Sequence, residues 1–61
     1  MKPEVTLTGT SGNVFAIIGN VSRALKDAGK RAEAKEFADK AFQCATYDAV
    51  LQLVMTYVDV R

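Results

Sequence analysis

The spacing of apolar residues changes from two to three or four and back again along this chain. Val5-Thr6-Leu7-Thr8 alternates apolar and β-branched polar positions, which predicts a strand with Val5 and Leu7 turned inward. Gly9-Thr10-Ser11-Gly12-Asn13 is a turn cluster that ends it, with Ser11 or Asn13 placed to accept from free N–H groups of a following helix. Val14, Ile17, Ile18, Val21, Leu25 and Ala28 then recur at helical steps, predicting a first helix over Val14–Ala28 with one apolar face. Gly29 is suited to the left-handed position that closes a helix, and Lys26 and Lys30 suit the negative end of its dipole. Gly19 stands against this pattern, because glycine inside a helix costs about 1 kcal/mol relative to alanine. With Gly12 and Ala16 it forms a stripe of small residues, where close approach of another backbone or a ligand is expected; on that reading Gly19→Leu disrupts packing.

A second helix is predicted over Arg31–Cys44, with Ala34, Phe37, Ala38, Ala41 and Cys44 as its buried stripe and Phe37 as the anchor. Glu36 and Lys40 stand four apart in the favourable order. Phe42 falls off the stripe and is expected against a neighbouring element or another subunit. Thr46 caps a third helix carrying Tyr47, Val50, Leu51 and Val54, with Asp48 near its positive end. After Met55, Thr56-Tyr57-Val58-Asp59-Val60-Arg61 alternates, which predicts a closing strand with Val58 and Val60 on one side and Tyr57 on the other. The fold class is therefore α+β, in the order strand, three helices, strand. The two terminal strands are expected to pair and to be extended by oligomerisation.

Length sharpens that expectation. Sixty-one residues form one domain, 1–61, and a chain this short has only a small core. Small folds usually add a disulfide, a metal or a partner subunit. Cys44 is the only cysteine and histidine is absent, so neither an internal disulfide nor a Cys/His zinc site can form within the chain, and no metal or cofactor is expected. Self-association remains. Two strands with open edges invite pairing with another chain, so Val5, Leu7, Tyr57 and Val58 are the expected interface of a homo-oligomer.

Charge narrows the partners. A formal net charge of +1 with mixed signs gives no case for nucleic acid or a membrane surface. The longest apolar run is too short to span a bilayer, and no export signal precedes the first strand; with a free cysteine, this points to the cytoplasm. Catalysis is not expected either. The sequence lacks histidine, leaves Cys44 and the serines without a base, and scatters its carboxylates. The most suggestive feature is the glycine-rich turn entering the first helix. A helix N-terminus attracts anions, and Ser11, Gly12 and Asn13 are the candidate ligand-binding residues there. An ordinary strand-to-helix turn has the same form. Arg23 belongs to a basic run with Lys26, Lys30, Arg31 and Lys35 and is the candidate charge partner, supplied by a neighbouring subunit because it lies about three turns further along the same helix.

Two segments carry a resemblance. Gly12 to Leu25 reads G-N-x-F-x-I-x-G-x-V-x-x-A-L, and Tyr47 to Val58 reads Y-D-x-x-L-x-x-V-M-x-Y-V. Together they resemble a family of very small proteins, without an assigned activity, found in phages, prophages and mobile elements. The match covers most of the chain and is weaker between Arg31 and Thr46. The resemblance implies an accessory protein that acts stoichiometrically, by binding a host protein or by sequestering a small nucleotide-like ligand in an anti-defence role. The alternative is a structural or assembly component of a phage particle with no small-molecule ligand.

Overall fold

A computed structural model describes residues 2–6 and 13–60. Three helices occupy most of that length: α1 Val14–Asp27, α2 Arg31–Phe42 and α3 Tyr47–Tyr57. Short strands β1 Glu4–Val5 and β2 Asp59–Val60 flank them, so the architecture is α+β in the expected order.

Local chemistry sets the helix limits. Asn13 caps α1, its Oδ1 accepting from the Ala16 N–H at 3.1 Å. At the other end Gly29 has φ +80°, the Gly29 N–H donates to the Lys26 carbonyl, and the Lys30 N–H donates to the Leu25 carbonyl. That pair of bonds around a left-handed glycine is a Schellman stop. The turn is so short that α2 folds back along α1. α2 begins on Lys30 with no side-chain cap. Thr46 caps α3, its Oγ1 accepting from the Ala49 N–H at 3.1 Å.

The second and third helices depart from the expected limits. α2 stops at Phe42, leaving Cys44 in the connection. α3 runs into the segment expected to be strand, so Thr56 and Tyr57 are helical and only Asp59–Val60 pairs. Helical spacing wins because Val50, Val54 and Tyr57 fall on one side of the helix and all pack on the core. Val58 is buried while Val60 is exposed, so the two valines do not share an environment. β1 and β2 pair in parallel, Glu4 opposite Asp59 and Val5 opposite Val60, and the Asp59 N–H donates to the Pro3 carbonyl at 2.9 Å.

The core is apolar. Ile17, Val21 and Leu25 of α1 meet Phe37 of α2 and Val54 of α3, and Val5 and Val58 close the side beneath the ribbon. Phe37 is fully enclosed, with the Tyr57 ring edge-on to it at 5.5 Å between centroids. Burying a side chain of this size stabilises by roughly 1.5–3 kcal/mol. No helix among the described residues is long and apolar enough to cross a membrane.

Candidate functional site: an aromatic groove at one end of the helices

Because α2 folds back along α1, the start of α1 and the end of α2 lie at the same end of the molecule. The connection into α3 passes there too. Val14, Phe15 and Ile18 of α1, Ala41 and Phe42 of α2, and Cys44 to Tyr47 with Val50 surround a groove of about 230 Å³. Phe15 and Phe42 flank it, their ring centroids 6.0 Å apart and tilted by 37°. Phe15 is 73% exposed, Phe42 62% and Tyr47 37%. Ile18, Ala41 and Val50 form the buried floor. None of the described residues lining the groove carries a charge. Cys44 is half-buried at its edge, its Sγ donating to the Lys40 carbonyl at 3.4 Å.

A second cluster joins α2 to α3. The Tyr57 hydroxyl donates to Glu36 Oε1 at 2.5 Å, and Lys40 Nζ donates to the same oxygen at 3.1 Å. The Tyr57 bond, then the Lys40 bond and charge, hold the Glu36 carboxyl below its ordinary value. Glu36 in turn raises both Lys40 and Tyr57. Such an exposed cluster ties two helices together and gives no sign of an activated acid or base.

The sequence-derived sites disperse. Leu7, Ser11 and Gly12 lie outside the described residues, as does the rest of the turn before Asn13. The Asn13 side chain is occupied in capping α1. Arg23 is exposed and stands ten residues on, about 15 Å along α1, so a single chain does not bring it to Asn13. Val5 and Val58 are buried inside their own chain, and Tyr57 is half-buried with its hydroxyl bonded to Glu36. Around Gly19 the helix is open: a Cβ built there meets nothing within 4 Å. The close approach expected at the small-residue stripe does not occur at Gly19 in the folded chain.

Sequence reasoning marks Phe42 as off its stripe but passes over Phe15. The signal is there to be read. Phe15 is also off the apolar stripe of its helix, and the two off-stripe aromatics stand at the open end of the α1–α2 hairpin, where they come together. Comparison with family models, with curated proteins and with solved structures finds no match to the chain.

Proposed function

We propose that the chain is a non-enzymatic binding protein whose working form is a homo-oligomer. The carrying observation is the groove, where Phe15, Phe42 and Tyr47 stand together in water around an apolar floor. Exposed apolar patches of this kind are association surfaces, and aromatic residues are enriched in the anchors of protein interfaces. The parallel ribbon supports the same reading, since a sheet of two short strands is marginal by itself and gains from strands of another copy. The phage or mobile-element setting follows from the sequence resemblance. Within it the captured species is a host factor or a nucleotide-like ligand. An uncharged, aromatic lining favours an apolar protein surface over a phosphorylated ligand, which needs cationic or N–H donors.

Light scattering from micromolar to millimolar concentration tests the self-association, and a stable monomer throughout overturns it. Thermal shift against nucleotides and cyclic dinucleotides tests the ligand. A ligand at 100 times its dissociation constant stabilises by about 2.7 kcal/mol, so the absence of any shift across the panel leaves the host-protein reading. In the assembly alternative, copies meet through a contact that does not close on itself, which builds extended particles. It predicts large, polydisperse species in the same light-scattering series.

A further inference from the structure

We infer that the aromatic groove is seated on a second copy of the same chain, in a two-fold arrangement that sets the Phe15–Phe42 pair of each protomer against that of the other. This inference rests on the self-association proposed above and names its contact surface, which differs from the strand surface expected from sequence.

Area favours this occupant. Taking about 200 Å² for a whole aromatic side chain, the exposed parts of Phe15, Phe42 and Tyr47 amount to roughly 350 Å² per copy. A standard interface takes about 800 Å² from each partner. The aromatics supply nearly half of that from one patch, and Val14, Ala45 and Thr46 around them supply further surface at the same end. A two-fold contact needs a patch that is its own complement. A lining without charged side chains suits this condition, since two copies seated on it bring no like charges together across the groove itself. The two rings also stand beside each other already, so the patch is gathered before any partner arrives. Among the described residues, the other large apolar exposures are Met55 and Val60, neither of which lines the groove. With one cysteine and no histidine, the chain can form neither an internal disulfide nor a Cys/His zinc site to take the place of a partner subunit.

The test compares the wild-type chain with Phe15→Ser and Phe42→Ser by sedimentation over micromolar to millimolar concentration, with circular dichroism as the check on folding. Both rings are exposed, so the variants are expected to fold, and each is expected to weaken pairing about tenfold or more. Met55→Ser, also at an exposed position, is the control and is expected to leave pairing unchanged. An amide-resonance dilution series on the wild type gives the same answer without a substitution: the signals that move with concentration are expected at 14–18 and 41–47. Movement confined to Glu4–Thr6 and Asp59–Val60, or full pairing in the serine variants, overturns the groove while leaving self-association standing. A wild-type monomer throughout overturns both. A monomer whose groove signals move instead with an added nucleotide or peptide assigns the groove to that occupant and overturns the second copy.

Discussion

Gly19 and Gly29 are both glycines on or beside α1, and their backbones demand opposite things. Gly29 sits at φ +80°, where any other L-residue is strained, and its N–H completes the stop of α1. Gly19 has ordinary helical geometry with open space where a Cβ would stand. Gly19→Ala is therefore expected to stabilise by up to about 1 kcal/mol, and Gly29→Ala to destabilise by about 1–2 kcal/mol. Urea titration of the two variants checks both signs. A destabilised Gly19→Ala would mean that something packs on that face in solution. The sequence pattern marks both glycines as exceptional; only the backbone angle and the surrounding space separate a required glycine from a tolerated one.

The helices are legible in the sequence because their signals are local. Thr46 caps α3 as the sequence indicates, Asn13 is the one of the two candidate residues, Ser11 and Asn13, that caps α1, and the apolar spacing of α1 and α2 identifies their buried faces. Asn13→Ala and Thr46→Ala are each expected to cost about 1 kcal/mol, read from the same urea titrations. The end of α3 is not legible, because Thr56-Tyr57-Val58 satisfies a period of two as well as a helical turn, and packing of the Tyr57 ring on Phe37 decides between them. The bond of the Tyr57 hydroxyl is equally hidden, since its partner Glu36 lies on another helix. That contact has a pH signature. Glu36, lowered chiefly by the Tyr57 bond, contributes stability above its unfolded value that is lost as pH falls through the folded one. Tyr57 and Lys40, both raised chiefly by Glu36, contribute stability at lower pH that is lost as pH rises through their folded values. Tyr57→Phe is expected to flatten both limbs of a stability–pH profile, modestly, because the cluster is exposed. Unchanged limbs would rule out the tether.

For the molecule as a whole, the sequence shows why the margin is thin but not where the unprotected surface lies. Phe37 is legible as the anchor; the groove is not, because it needs the hairpin geometry that brings Phe15 to Phe42. A chain of this length is stable by roughly 3–9 kcal/mol, and removing a fully enclosed phenylalanine costs about 3–5 kcal/mol. Phe37→Ala is therefore expected to remove at least about a third of that margin and to lower Tm by more than about 10 °C, as circular dichroism melts would show. Two phenylalanines on the same helix, Phe37 and Phe42, should thus report different things: Phe37 whether the fold forms, Phe42 whether molecules meet.

The parallel ribbon also bears on how the fold is reached. Its two strands come from opposite ends of the described chain, with Glu4 opposite Asp59 and Val5 opposite Val60. The turns within and between the helices close over short distances, whereas this pairing spans nearly the whole described length, the slowest kind of contact to form. Refolding from denaturant is therefore expected to complete the helical turns first and the pairing of Glu4–Val5 with Asp59–Val60 last, which pulsed amide exchange would show as late protection of the ribbon.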